Sequence, residues 1–374
     1  MTLAPLIRRV RAVPRRFREA RMFAQAMRSW RHPILAHIVP TRRCNLACAY
    51  CNEYDHVSQP VALAEMLRRV DQLAALGTTI ITISGGEPLL HPELDKIIRR
   101  ISSHRIIATL ITNGLLLTSE RIRQLNRVGL HQLQISIDNV QPNDVSRKSL
   151  KVLDQKLRWL AAHAEFDVNI NAVIGAAVGD PEDVLTIARR AMELGFSFTA
   201  GVVHDGSGQL EPVSERVREI LDEVLRLRKP LFSFVRYDRF QYNLARGVPN
   251  EWQCRAGSRY LYICENGLVH WCSQQRGYPG VPLERYTVVD IEREYRTVKS
   301  CAPLCTINCV QKTAVLDELR ENPRETILHI LSPPEQHLDP AQLPLSVRLL
   351  SGMFVDRRRS KWFSKVALRF FGLK

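Results

Sequence analysis

The chain has 374 residues and a formal net charge of +15, a length that accommodates one main domain and a small extension. All of that charge sits at the ends: residues 1–31 hold nine Arg against Glu19, and residues 347–374 hold eight Lys or Arg against Asp356, so the neutral stretch 32–346 is excluded as a general nucleic-acid surface. No run of about 18 apolar residues occurs, which excludes a bilayer-spanning helix, and no internal repeat or low-complexity tract is present.

The first 31 residues place Leu3, Leu6, Ile7 and Val10 at helical spacing and, past Pro14, Phe17, Ala20, Ala24, Met27 and Trp30. A basic amphipathic helix with aromatic residues on its apolar face reads as an interfacial membrane helix. The alternatives are a helix packed apolar face inward on the body, or a basic edge that meets RNA or an acidic electron donor. Ile34–Val39 is strand-like and leads into Cys44-Asn45-Leu46-Ala47-Cys48-Ala49-Tyr50-Cys51. Soft thiolates at this C-x3-C-x2-C spacing suit an iron–sulfur cluster or zinc. A closed site needs a fourth ligand, and the nearest candidate is His56. Three ligands leave one coordination position for a small molecule, the arrangement that separates catalytic from structural metal sites.

Helical and strand-like stretches then alternate. Val61–Leu76 is helical, with Leu63, Met66, Leu67, Val70 and Leu73 on one face. Thr79–Ser84 is strand-like and ends at Gly85-Gly86-Glu87-Pro88. Leu94–Ile101 is helical, Ile106–Thr112 is strand-like up to Asn113-Gly114, Ser119–Val128 is helical, and Leu133–Ile137 is strand-like up to Asp138. Leu150–His163, Val168–Ile174, Pro181–Leu194 and Phe196–Val203 continue the alternation. Such a pattern predicts an α/β fold with a parallel sheet of βαβ units. Active residues on such sheets gather at the C-terminal strand ends.

The cysteine triplet, the aromatic Tyr50 before its last member and the glycine motif at the next strand end resemble the radical S-adenosylmethionine (radical SAM) superfamily. The resemblance implies a partial (βα)6 TIM-like barrel over 32–229. It also implies a [4Fe–4S] cluster on Cys44, Cys48 and Cys51, whose fourth iron takes the amino and carboxylate groups of SAM. One electron then releases a 5′-deoxyadenosyl radical that abstracts hydrogen from substrate. Carried onto this chain, it gives Gly85, Gly86, Glu87 and Pro88 as the motif meeting the SAM amino group, with Glu87 accepting from the ammonium. Asn113 lies near SAM, Ser136 and Asp138 bond its ribose, Tyr50 packs near adenine, and Asn171 faces the carboxylate side. His204 and Asp205 follow the sixth strand, as a surface loop or as substrate contacts.

Pro230–Pro249 reads as a connector over 230–249 with a short helix around Arg239–Arg246. The other six cysteines lie between 254 and 309. Cys254-Arg255-Ala256-Gly257, then Gly267 and Cys272, resemble the opening of the SPASM and twitch extensions of radical SAM enzymes, giving an auxiliary domain over 250–312. The resemblance implies an auxiliary [4Fe–4S] cluster. Cys301, Cys305 and Cys309 depart from the full SPASM pattern, so a single cluster would use Cys254, Cys272 and two of those three. Cys264, ending the apolar run Tyr260–Ile263, reads as a buried free thiol. Structural zinc is the alternative for this field, and disulfides are disfavoured by the reducing compartment that the triplet implies. Residues 313–374 end in a second basic amphipathic helix, with Leu349, Leu350, Met353 and Phe354, then Trp362, Phe363, Val366 and Phe370.

The expectation is a cytoplasmic radical SAM enzyme, peripheral on the inner membrane face through its basic ends and reduced by a flavodoxin- or ferredoxin-type donor. A lipid or isoprenoid substrate fits those ends. A peptide or protein side chain and a small metabolite are the other substrate classes. A zinc-loaded metalloprotein without catalysis is the reading of another kind.

Overall fold

In the computed structural model, residues 4–175, 180–202, 210, 212–227 and 239–331 are described. After α1 (Ala4–Arg28), strands and helices alternate: β1 (Leu35–Ile38), α2 (Leu63–Ala75), β2 (Ile80–Ile83), α3 (Leu94–Ser103), β3 (Ile107–Thr112), α4 (Ser119–Arg127) and β4 (Gln132–Ser136). The series continues through α5 (Leu150–His163), β5 (Asp167–Ile174), α6 (Glu182–Glu193), β6 (Ser197–Val202) and α7 (Glu215–Leu227). Consecutive strands β1 to β6 are parallel neighbours, as the alternation predicts. The sheet stays open, so the barrel is partial.

The two faces of the sheet differ. Ala36, Ile38, Ile81, Ile83, Leu110, Leu133, Ile135 and Ile170 are fully buried in the main core beneath the helices. Alternate residues face the concave side and stay half-exposed on β1, β4 and most of β5 and β6. That period of two is the pleat of a strand. The concave face is polar: Thr82 bonds Thr109 (2.6 Å), Asn169 bonds Thr199 (2.9 Å), and Thr199 donates to Asn171 (2.8 Å). His37 lies on the same face, 3.4 Å from Ser84, and burial lowers its imidazole to about 4.

The cysteine-rich segment grows out of this sheet. After α8 (Arg239–Ala245), β7 (Tyr260–Ile263) pairs in parallel with β1, in register Leu35 to Tyr260 and Ile38 to Ile263. β8 (Leu268–His270) and β9 (Pro279–Pro282) add antiparallel, giving nine strands ordered β6-β5-β4-β3-β2-β1-β7-β8-β9. The parallel part thus has seven strands where the alternation alone predicts six. α9 (Val288–Arg296), α10 (Asn308–Glu321) and α11 (Pro323–Leu331) follow.

The basic helix at the N-terminal side packs against the barrel floor. α1 runs through Pro14. Arg15 donates to the Glu165 carbonyl (2.5 Å) and pairs with Asp167 (3.4 Å). Glu19 meets His131 (3.0 Å), and Gln25 donates to the Gly77 carbonyl (2.9 Å). All these partners lie at or just before the N-terminal ends of strands. The docking face thus carries polar contacts beside the buried Ala26, and Phe17 remains 45% exposed. Over residues 15–30, whose side chains are described, docking on the body is the reading seen, through these polar contacts together with the buried Ala26 and with Trp30, whose ring lies 4.5 Å from that of Tyr295. Among the described residues no helix is long and apolar enough to cross a membrane. His204, Asp205, the connector before Arg239 and the basic segment 347–374 lie outside the described residues.

Candidate active site

Because seven strands run parallel, their C-terminal ends share one rim. The cysteine loop follows β1 there, and its backbone is tied down before any ligand arrives. Cys44 donates its amide to Asp55 O, and Asp55 donates to Arg42 O, each at 2.9 Å. Asp55 in turn accepts from the amides of Val57 and Ser58. His56, weighed as a fourth ligand, holds a ring nitrogen 3.1 Å from the Cys44 carbonyl.

The glycine motif serves this loop. Gly85 has φ +107°, and a Cβ on Gly86 would overlap the carbonyl oxygens of Arg42 and Arg43. Gly86 and Glu87 donate their amides to Thr41 O and Arg43 O. The close approach that glycine permits is therefore to the cysteine loop itself. Glu87 departs from expectation in the same way. Its side chain is fully buried and accepts from Thr112 Oγ1 (2.7 Å), the Asn113 amide (2.8 Å) and the Leu89 amide (2.9 Å). Burial raises its pKa against those three donors. The carboxylate welds the end of β2 to the end of β3 rather than facing an open ligand position. Pro88 is buried as the first residue of a short 3₁₀ turn.

Asn113 reaches the loop: its Nδ2 donates to Asn45 Oδ1 (2.7 Å) and lies 3.9 Å from Cys44 Sγ. Ser136 is half-buried on the concave face, in register with Asn171 on β5. Tyr50 reaches the end of β4, where its hydroxyl donates to Asp138 Oδ2 (2.6 Å). Ser146 donates to the same oxygen (2.7 Å), and Lys148 pairs with it (3.1 Å). Asp138 Oδ1 is buried and has no hydrogen-bond partner, so one acceptor remains for a ligand hydroxyl. Cavities of about 290 Å³ and 330 Å³ flank the loop, the first beside Cys44 and the second beside Cys48, with Asn45 and His56 lining both.

The thiols are built as ligands. Cys44 accepts the amide N–H of Leu46 and Cys51 that of Glu53, each two residues on. The pattern recurs in the second field: Cys254 accepts from Ala256, Cys272 from Gln274 and Gln275, and Cys305 from Ile307 (3.4 Å). Amide donors stabilise sulfur as the anion, whereas burial opposes it. Burial prevails without a cation: Cys51 and Cys254 rise to about 11 and Cys272 to about 12, while Cys305 rises further. A bound cation reverses that balance.

Among the described residues, one set of three ligand atoms lies within 4.8 Å of each other, Glu19, His131 and Asp167 on the barrel floor, where Arg15 already supplies the cation. Within the second field, charge on Cys301 raises Cys254, Cys272 and Cys305. Cys309 instead takes a hydrogen bond from Tyr260, and Cys264 is a buried free thiol.

Sequence reasoning missed Ser146, Lys148, Glu53 and Tyr262. Glu53 is the acceptor of the Tyr262 hydroxyl, and Asn52 donates to Gln274 (3.0 Å), so the two cysteine fields touch. Loop closure between Asp138 and Lys148, amide to carbonyl at 2.8 Å, has no local sequence signature.

The model of the radical SAM superfamily matches residues 38–222. The GTP 3′,8-cyclase of Aquifex aeolicus (strain VF5) is 31% identical over 216 residues, covering 52% of this chain and 63% of that protein. The PqqA peptide cyclase of Methylocella silvestris is 26% identical over 265 residues, 67% of this chain and 70% of that protein. The crystal structure of Streptococcus suis SuiB bound to precursor peptide SuiA has the same fold, with TM-score 0.51 and 17% identity over 83% of this chain and 76% of that one. The chain spans about half the length of several of the curated relatives it matches.

Proposed function

Because the chain belongs to the radical SAM superfamily, we propose that it reductively cleaves SAM at Cys44, Cys48 and Cys51 and modifies a polar substrate, a peptide side chain foremost, within the partial barrel. A [4Fe–4S] cluster bound there with SAM supplies a 5′-deoxyadenosyl radical. The chain's own residues prepare the place. Glu87 locks two strand ends, Asn113 lies beside Cys44, and Asp138 offers its unpartnered Oδ1 to a ribose hydroxyl. Cys254, Cys272, Cys301 and Cys305 are the proposed ligands of an auxiliary [4Fe–4S] cluster.

One observation carries the substrate class. The concave face presents His37, Thr82, Thr109, Asn169, Asn171 and Thr199. These groups already bond one another across the strands, and the donor and acceptor capacity they keep toward the concave side is matched by a peptide, which can hydrogen-bond it, rather than by an isoprenoid, which cannot. The name of the PqqA peptide cyclase agrees with that choice. Arg43 and Arg147, exposed beside the loop, would steer an acidic flavodoxin- or ferredoxin-type donor.

The test compares peptides and lipids of the host with and without the gene by mass spectrometry. A peptide whose mass shift disappears in the deletion and returns with the wild-type gene, but not with Cys48→Ala, is the expected result. A lipid change with no peptide change contradicts the polar-substrate reading.

A further inference from the structure

Two buried lysines stand behind the two cysteine fields in matching surroundings. Lys148 is 11% exposed at its side chain, and Asp138 is 0% exposed. The ammonium donates to the Tyr50 hydroxyl, pairs with Asp138 Oδ2 at 3.1 Å and lies 4.9 Å from the Tyr50 ring centroid. Ser146 continues the contact, bonding Asp138 at 2.7 Å and lying 3.7 Å from Cys48 Sγ. In the second field, the Lys299 side chain is 1% exposed and that of Glu294 is 5% exposed. Its ammonium donates to the Glu294 carbonyl, stands 3.6 Å from Glu294 Oε2 and lies 5.2 Å from the Trp271 ring centroid. Trp271 donates to Glu294 Oε2 at 2.7 Å, as Tyr50 donates to Asp138. Each aromatic immediately precedes a cysteine, Tyr50 before Cys51 and Trp271 before Cys272.

A buried ion pair of this kind adds little net stability over apolar residues of similar volume, so stability alone does not account for having two. Each ammonium acts on its own sulfurs. Lys148 shares Asp138 with Ser146, whose hydroxyl lies 3.7 Å from Cys48 Sγ, and Lys299 lies over the ring of Trp271, the residue before Cys272. Adding an electron to an iron–sulfur cluster adds negative charge, and the potential follows the local charge and burial. A fixed cation in a dry site therefore favours the reduced form.

We propose that Lys148 and Lys299 are positioning residues that set the reduction potentials of the two iron–sulfur sites independently, each raising the potential of the site it backs. The inference rests on reading both cysteine fields as [4Fe–4S] sites. The single electron comes from an external titrant, and neither lysine gains or loses a proton.

The experiment is an EPR-monitored redox titration of the anaerobically reconstituted full chain, with SAM used to mark the signal of the Cys44–Cys51 site. Lys148→Met should lower the reduced-to-oxidised ratio of the SAM-sensitive cluster about tenfold at fixed potential, a shift of about 59 mV to more negative values for one electron. The other signal should stay where it was. Lys299→Met should do the converse. Lys148→Arg should keep the wild-type potential, and Asp138→Asn, which removes the counter-charge, should shift it the opposite way. Unmoved potentials in iron-replete Lys→Met variants, or both signals moving together in each variant, would overturn the proposal. A wild-type chain that takes up no iron and sulfide overturns the reading of the cysteine fields, and the inference with it.

Discussion

At the scale of single residues, the site works by committing polar atoms to the loop that carries the thiols. Glu87 shows the logic. Its two carboxylate oxygens take three protein donors in full burial, and one of those donors begins the segment that places Asn113 beside Cys44. Glu87→Gln turns an acceptor into a donor facing either the Asn113 amide or the pair Leu89 and Thr112. Leaving a buried donor unpaired costs about 1–3 kcal/mol, so urea unfolding should show a loss of that order, with iron retention reduced in parallel. An unchanged midpoint would mean that the weld is unimportant. The motif Gly85–Pro88 was legible in sequence, but its mode of use was not. A resemblance carries a residue's position faithfully; its partners depend on which strand ends the fold brings together.

At the scale of elements, the joints between α1, β7 and α10 hold the extension to the barrel. Arg259, at 0% side-chain exposure, pairs with Asp317 on α10 (3.1 Å) and donates to the carbonyls of His32 and Ala26. Asp317→Asn removes the charge that Arg259 was buried against. Breaking such a pair costs about 3–5 kcal/mol, so the melting temperature should drop, and a variant as stable as wild type would refute this role. His32 lies in the same joint, and burial, then Arg259 and Arg320, lowers it to about 3. The unfolded imidazole takes its proton near 6.5, so the unfolded state binds more protons below that pH. The stability His32 contributes is complete above about pH 6.5 and is lost as pH falls towards 3, at up to about 1.4 kcal/mol per pH unit. His32→Gln should flatten the acid limb of the stability profile, and an identical limb contradicts the assignment. The alternation of helices and strands was visible because the period of the apolar residues changes at each boundary. The pairing of β7 with β1 was not, since the two lie more than 200 residues apart and only the apolar run Tyr260–Ile263 marks the strand.

At the scale of the whole molecule, a neutral body carries two basic ends that need not share a role. The first is docked on the barrel floor through Arg15, Glu19 and Gln25. The second, 347–374, remains the proposed contact for an anionic membrane, at about 1 kcal/mol for each Lys or Arg near the surface. Full-length protein should sediment with vesicles containing anionic lipid, and replacing Arg357, Arg358, Arg359 and Lys361 with Gln should release it at physiological salt. Equal sedimentation of both proteins contradicts a membrane role for that segment. The account as a whole depends on the three thiols of the cysteine loop. Its most direct measurement is the release of 5′-deoxyadenosine from SAM by anaerobically reconstituted enzyme under dithionite. Iron-replete wild-type protein should form it and Cys48→Ala should not; an iron-replete wild type that leaves SAM intact would contradict the central claim.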